Sequence, residues 1–397
     1  MSSGGSRLPE SVPAASIERL ASELVSIPSQ AGIDSVEPVL HRMAAWLEAH
    51  ALNPTFLTDP QGNNVALFAK CVGRTSGPSI CLNACLDTAP FGDPNSWSFS
   101  PTDGTIVANR LRGRGSADSK IGASIIAHVV ESIANRQMIG SGTIYLLFDA
   151  DEHTGQFGGV RSFIERVSPR PEAVVLAYPG NDKLVVGARG FYRSRIHVFG
   201  KAAHSGATTR RGINAIDKLA HLITLLGRAP LPNPTQEFPI PPVATVTKID
   251  GGAGFSQIPD KATCSVDIRI TPSFDSAKAR AWLHELVAQV DAEMPSPESS
   301  IVELDLTWPP YMVDINSRLV TSFLAGGQDA FNRPIAPEIC GPSNIGNFLS
   351  TYGIPTICGL GVSYENIHGA DESSDVTSIP ASFHSYLTGV LNFLSPR

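Results

Sequence analysis

Asp149-Ala150-Asp151-Glu152-His153-Thr154-Gly155 is the stretch on which the reading of this chain turns. It follows Thr143-Ile144-Tyr145-Leu146-Leu147-Phe148, an apolar, β-rich run that predicts a buried strand. Three adjacent ionisable side chains at a strand's end, Asp151 to His153, are costly to place there. A metal ion, or a carboxylate kept as a proton carrier, explains such a placement. A solvated acidic loop is the plain alternative, and the rest of the chain has to decide between them.

The bulk numbers narrow the class. At 397 residues the chain exceeds what one core usually holds, so two domains are expected. Hydrophobic content of 42% with 17% charged residues fits an ordinary soluble globular protein. A net charge of -7 argues against a nucleic-acid partner, and the longest apolar runs fall short of a membrane span. Met1-Ser2-Ser3-Gly4-Gly5-Ser6-Arg7 reads as a disordered polar lead without a signal-peptide core. The cysteines at 71, 81, 85, 264, 340 and 358 form no CxxC pair and no dense framework, so a reducing cytoplasm is expected.

Outward from the opening stretch, strands and helices alternate. Ser16 to His50 reads as two helices split by Ser26-Ile27-Pro28-Ser29-Gln30. Asn64 to Ala69 and Ser79 to Ala84 read as strands, the second running into Cys85-Leu86-Asp87-Thr88-Ala89-Pro90. Gly113-Arg114-Gly115-Ser116-Ala117-Asp118-Ser119-Lys120-Ile121-Gly122 leads into a helix from about Ala123 to Asn135. A helix from Gly155 to Arg166 and a strand ending near Tyr178 complete the pattern of an α/β sheet. From about Gly187 the rhythm becomes β-α-β-β-α-β up to Thr307, a ferredoxin-like unit inserted into the first domain. The expected layout is therefore 1–186 and 310–397 as one domain and 187–309 as the insert.

The residues resemble the metal-dependent aminoacylase and carboxypeptidase family that includes acetylornithine deacetylase and succinyl-diaminopimelate desuccinylase. The marks are Cys85-Leu86-Asp87-Thr88, Gly113-Arg114-Gly115 with Asp118 and Lys120, and Asp151-Glu152-His153. Further on come Gly200-Lys201-Ala202-Ala203-His204-Ser205-Gly206, Gly251-Gly252 with Ile258-Pro259-Asp260, Asp267-Ile268-Arg269 and His368-Gly369-Ala370-Asp371-Glu372. The resemblance implies a zinc-peptidase-like α/β/α catalytic domain with the inserted unit serving dimerisation, and so a homodimer. It also implies a pair of divalent metals bridged by a carboxylate at the position of Asp118. One metal would be completed by His153 and His368, the other by residues at positions 85 and 178. Glu152 matches the general base, Asp87 the acid that orients a ligating imidazole, and His204 a carbonyl-polarising residue acting across the dimer. Arg269 and Ser256 match positions that hold a substrate carboxylate.

This chain departs from the pattern at Cys85 in place of His, His153 in place of Glu, and Tyr178 in place of an acid. Ser256 and Asn344 replace the usual Asn and Asp, which suggests a changed substrate. Asp118, His153 and His368 still make a carboxylate and two imidazoles suited to zinc, with Fe, Mn or Co also compatible. The other metal position is weakened, because Tyr178 binds metal only as a phenolate and Cys85 offers Asp87 no N–H. Cys85 remains open between a buried small residue, a metal ligand and a nucleophile. Tyr178 reads as a pocket wall or a hydrogen-bond donor to substrate. The expectation is a one-metal amide hydrolase acting on a small N-acyl amino acid or related metabolite. Its rivals are another reaction on the same fold, such as amide formation, acyl transfer or cyclisation, and a metal-free binding protein.

Overall fold

The computed structural model describes residues 12–209 and 212–396, so the polar lead expected over Met1 to Arg7 lies outside the described residues. The chain separates into two compact units. One runs to Gly187 and resumes over Val313–Glu338 and Asn344–Arg397; the other comprises Ala188–Met312 and Ile339–Ser343. The short return of Ile339–Ser343 to the second unit was not expected from the sequence. Its cause is a set of local hydrogen bonds. Arg189 Nε donates to the Gly341 carbonyl at 3.0 Å, the Ser343 hydroxyl donates to the Arg189 carbonyl at 2.7 Å, and Arg269 Nη1 donates to Ser343 Oγ at 3.2 Å.

The first unit is built on a mixed sheet. Across it lie Thr55–Thr58, Asn64–Val72, Ser141–Asp149, Thr75–Cys85, Ala173–Leu176, Thr356–Gly359 and Lys183–Ala188. The run from Ser141–Asp149 to Thr356–Gly359 is parallel, and the flanking pairs are antiparallel. Ile80 to Cys85 and Ile144 to Asp149 are buried throughout, which is why, Asn83 and Asp149 apart, they read as apolar runs instead of alternating ones. Thr75–Cys85 has later strands on both sides, so chain order reverses there, and the carboxyl ends at such a point form a ready-made crevice. Cys85 and Asp149 face each other in register at that edge. The helix Ile121–Asn135 starts beside it, where a Cβ on Gly122 would come within 1.9 Å of the Ala177 carbonyl oxygen. A small second sheet pairs Arg110–Arg112 with Ser373–Asp375, tying the loops that carry Asp118 and His368.

The second unit is a four-stranded antiparallel sheet in the order Val243–Gly251, Lys261–Ile270, Gly190–Phe199, Ile301–Trp308. With helices Ala215–Arg228 and Ser276–Glu293 the chain order is β-α-β-β-α-β, the ferredoxin-like pattern. Lys261–Ile270 buries every second residue against those helices, Ile268 packing in one core with Leu222 and Leu283. Its other face carries polar side chains. Among the described residues, no helix is long and apolar enough to cross a membrane.

Candidate active site

The quoted stretch folds as a turn that hands its side chains to the sheet's carboxyl edge. Asp149, fully buried, ends its strand and accepts the N–H groups of Asp151 and Val160, each at 2.7 Å. Asp87, equally buried, lies beyond the end of the neighbouring strand. It accepts the backbone N–H of Glu152 at 3.2 Å and of His153 at 2.8 Å, and its Oδ2 stands 3.3 Å from His153 Nδ1. Sequence reasoning left Asp87 without an imidazole to orient, since Cys85 has no N–H. The structure supplies one in His153, from the turn that follows the adjacent strand.

With Nδ1 turned toward Asp87 and toward Glu152 Oε2 at 3.3 Å, the His153 ring presents Nε2 to the other side. That nitrogen is buried, has no hydrogen-bond partner among the described residues and lies 3.6 Å from Asp118 Oδ2. His368 Nε2 reaches the same oxygen at 3.1 Å. Burial alone would lower the His153 imidazole, but the surrounding carboxylates of Glu152, Asp87 and Asp118 outweigh it and hold it well above its usual range. Burial would likewise raise Asp118, and the two imidazoles pull it below the usual carboxylate range. Burial, with help from Asp118 and Asp87, pushes Glu152 up to about 7.

The loop bearing Asp118 and the loop bearing His368 hang from one buried ion pair. Arg114 and Glu372 meet at 2.5 Å with side chains 1% and 0% exposed. Glu372 Oε1 also accepts the N–H groups of Gly115 at 2.9 Å and Ala117 at 3.0 Å, while Oε2 accepts that of His368 at 3.3 Å. Arg114 Nη2 donates to the His368 carbonyl at 3.0 Å. His368 itself has a φ of 59°, a left-handed conformation that these contacts hold in place. Arg114 and Glu372 stand inside the motifs read from the sequence, yet their task is visible only once 258 residues of separation close.

This geometry fits a divalent cation. One donor atom each from Asp118, His153 and His368 lies within 4.8 Å of the others. An imidazole nitrogen left buried without a partner, facing a carboxylate oxygen shared with a second imidazole, is the arrangement a metal would complete. Cys85, Glu152 and His153 form a second such group, sharing His153 with the first. There the fit is poorer. The Cys85 thiol lies 3.2 Å from Ser119 Oγ and 3.6 Å from Asp118 Oδ1, and burial with the nearby Asp118 charge pushes it well above its usual range. Burial, then Glu152 and Cys85, push the Tyr178 phenol upward too, so it stands as a protonated donor. Its hydroxyl is buried, without a well-aligned hydrogen-bond partner among the described residues, yet close enough to the Glu152 carboxyl to favour that group's ionised form.

Asn344 caps the helix Ile345–Leu349, accepting the Gly346 N–H at 2.8 Å and donating its own N–H to Asn347 Oδ1 at 2.8 Å, so its amide oxygen is committed to the backbone. The other three candidates belong to the second unit. His204 is exposed on Ala203–His204, its Nδ1 accepting the Gly206 N–H at 3.0 Å. Ser256, also exposed, accepts the Ser205 N–H at 3.0 Å through its carbonyl. Arg269 donates from Nε to Asp267 at 2.8 Å.

Comparison with known proteins gives the family. The model for Peptidase family M20/M25/M40 matches residues 81–392. The chain is 27% identical to acetylornithine deacetylase of Proteus mirabilis over 75% of its own length and 78% of that protein. It is 26% identical to succinyl-diaminopimelate desuccinylase of Xanthobacter autotrophicus over 91% and 95%. A third match, 29% identical to the desuccinylase of Rhodospirillum centenum, spans 54% of this chain and 57% of the relative. Among solved structures, the dipeptidase Dug1p of Saccharomyces cerevisiae has a TM-score of 0.77 at 13% identity, covering 97% of this chain and 99% of that one. A dinuclear metal-binding M20 peptidase of Bacillus subtilis gives 0.71 at 16%, covering 96% and 98%. At such identities the structural likeness speaks for the fold. The family match, spanning most of the sequence, does more: the chain belongs to Peptidase family M20/M25/M40 and is a hydrolase of the aminoacylase and carboxypeptidase kind.

Proposed function

We propose that this protein hydrolyses the amide bond of a small N-acyl amino acid or related metabolite with one divalent metal per chain, zinc foremost. The observation that carries the reading is the Asp118, His153 and His368 donor set, whose His153 Nε2 is buried and unpartnered beside Glu152. When bound there, the metal supplies Lewis-acid polarisation and lowers the pKa of a nearby water. Glu152 takes a proton from the attacking water and delivers it to the leaving nitrogen as the C–N bond breaks and the new C–O bond forms. Asp87 holds His153 in the required tautomer. Tyr178 donates its phenolic hydrogen to substrate, while Arg269 and Ser256 receive the substrate carboxylate. Asn344 contributes to substrate binding from its place at the helix cap. One metal is preferred to two because position 178 offers a phenol in place of a carboxylate, and Ser119 and Asp118 already engage the Cys85 thiol.

The same proposal makes the protein a cytoplasmic homodimer joined through its second unit, the domain inserted over about 187–309. Val243–Gly251 is an edge strand of nine residues with Ile249 60% exposed, and the neighbouring helix exposes Ile216 at 40%. Such an edge invites pairing with a second copy. His204 then serves the partner's site. Mixing tests both roles: subunits with Glu152→Gln and subunits with His204→Ala, each inactive alone, should regain part of the amidase activity in heterodimers. Proven subunit exchange without recovery would remove His204 from the partner's chemistry.

A further inference from the structure

Two acids on the turn that carries Glu152, Asp149 and Asp151, take no part in the proposed chemistry, and both give an oxygen to the same helix. Asp149 Oδ2 accepts the Val160 N–H at 2.7 Å, and Asp151 Oδ2 accepts the Gly158 N–H at 3.0 Å. Gly158 and Val160 stand in the first turn of the helix Gly158–Arg166. The opening N–H groups of a helix find no acceptor within it. Phe157, the residue before this helix, supplies no side-chain cap. The helix therefore takes its caps from upstream, and the positive end of its dipole explains how two neighbouring acids are tolerated in a turn this buried.

The other two oxygens turn inward on the loop. Asp149 Oδ1 accepts the Asp151 N–H at 2.7 Å, and Asp151 Oδ1 accepts the Thr154 hydroxyl at 2.7 Å. Thr154 Oγ1 in turn accepts the Gln156 N–H at 3.1 Å, and the Gly155 N–H donates to the Glu152 carbonyl at 2.9 Å. Glu152 and His153 thus lie within a ring of hydrogen bonds that runs from the strand end through Asp151 to the helix. Two glycines permit the closeness. A Cβ on Gly158 would come within 2.4 Å of Asp151 Oδ2, and one on Gly159 within 2.6 Å of Asp149 Oδ1. His153 has a second hold, since both its N–H and its Nδ1 meet Asp87 Oδ2, at 2.8 and 3.3 Å. Glu152 has only the longer 3.2 Å contact from its N–H to Asp87 Oδ1 beside the ring, so it depends on the ring more.

We propose that Asp149 and Asp151 are positioning residues for Glu152, tying the turn that bears it to the first turn of the helix Gly158–Arg166. The consequence for catalysis rests on the reading of Glu152 as the base; the tie itself does not. The two acids differ in what they tolerate. Both partners of Asp149 are backbone donors, so in Asp149→Asn the NH2 group must face one of them. Asp151 serves one backbone donor and one hydroxyl, and a hydroxyl accepts as well as donates. Asp151→Asn therefore keeps both links, and Asp151→Ala loses both.

Hydrogen exchange of the full-length protein reads the tie without any substrate. In Asp149→Asn the Asp151 or Val160 amide should exchange about tenfold faster than in the parent, the order of one lost net hydrogen bond. Turnover is measured on whichever N-acetyl amino acid the parent hydrolyses fastest. Asp149→Asn and Asp151→Ala should lower kcat by about tenfold or more, with KM and zinc affinity nearly unchanged, while Asp151→Asn keeps most of the rate. Gly158→Ala suits a helix better than glycine but pushes Asp151 aside. It should lower kcat without lowering Tm, and should cost nothing further in an Asp151→Ala background. Asp151→Asn as slow as Asp151→Ala would overturn the proposal, because charge and not hydrogen bonding would then matter. Gly158→Ala at the parent's rate, or unchanged exchange in Asp149→Asn, would overturn it as well. Zinc affinity falling in step with kcat would make both acids supports of His153 instead. Faster exchange in Asp149→Asn, with no hydrolysis by the parent, would count against the hydrolase reading and leave the tie standing.

Discussion

Replacing Glu372 by glutamine swaps one oxygen for an amide and removes a single negative charge. The side chain is fully buried and serves five partners: Arg114, the N–H groups of Gly115, Ala117 and, at 3.5 Å, Asp118, and that of His368. An amide has one acceptor oxygen and an NH2 group. Whichever way it turns, that NH2 faces either the Gly115 and Ala117 donors or Arg114 and the His368 N–H. Arg114, 1% exposed, would then hold a buried charge without its counter-ion. Breaking a buried pair in this way typically costs about 3–5 kcal/mol, against a whole-protein stability of about 5–15 kcal/mol. Urea unfolding followed by circular dichroism should show a lower midpoint at an unchanged slope. Because Asp118 and His368 both hang from Glu372, zinc affinity should also fall, by about 10–100-fold on the precedent of outer ligand-orienting groups. A double change, Arg114→Met with Glu372→Leu, should recover much of the stability and little of the zinc affinity. The reasoning fails if Glu372→Gln costs less than about 1 kcal/mol, the size of an ordinary net hydrogen bond.

Two further outcomes follow from the structure. Asp87→Asn should lower zinc affinity about 10–100-fold, and the loss should shrink sharply when His153 is already glutamate. An equal loss in both backgrounds would mean that Asp87 does not act through His153. His128 gives the protein a pH dependence remote from the site. Burial lowers its imidazole to about 4, with smaller help from His50 and Arg19, and against the Ser124 carbonyl that accepts from the ring. The folded state thus keeps His128 neutral while the unfolded chain takes up a proton near 6.5. Stability should therefore be intact above about 6.5 and fall between there and about 4, by up to about 3 kcal/mol from this group. In His128→Gln the difference between urea midpoints at pH 7 and pH 5 should be smaller than in the parent; an equal difference would refute the assignment.

Much of this architecture was legible from local pattern. Ile144 to Phe148 and, Asn83 apart, Ile80 to Ala84 are apolar because both sheet faces are covered, and that pattern predicts buried strands. The alternation in Phe191 to Val198 and Ala262 to Ile270 announced a sheet with one open face. Lys183–Ala188 and the two- and three-residue strands beside Asp118 and His368 escaped, since so short an element has no period to read. At the site, residue types and order were enough to nominate Asp118, Glu152, His153 and His368. The meeting of Asp87 with His153 was not legible, because it depends on two parallel strands ending at the same level. Arg114 and Glu372 stand in motifs of the sequence without a visible task and become a hidden pair only through the loops the small sheet ties together.

The central claim is that the three changed positions, Cys85, His153 and Tyr178, leave one metal site where the family pattern has two. Elemental analysis of protein purified without added metal, normalised to chain concentration, measures it directly. The account predicts about one divalent metal per chain, lost in His153→Ala and His368→Ala and kept in Cys85→Ala. Two metals per chain, with one of them lost in Cys85→Ala, would contradict it and restore Cys85 as a ligand of a second site.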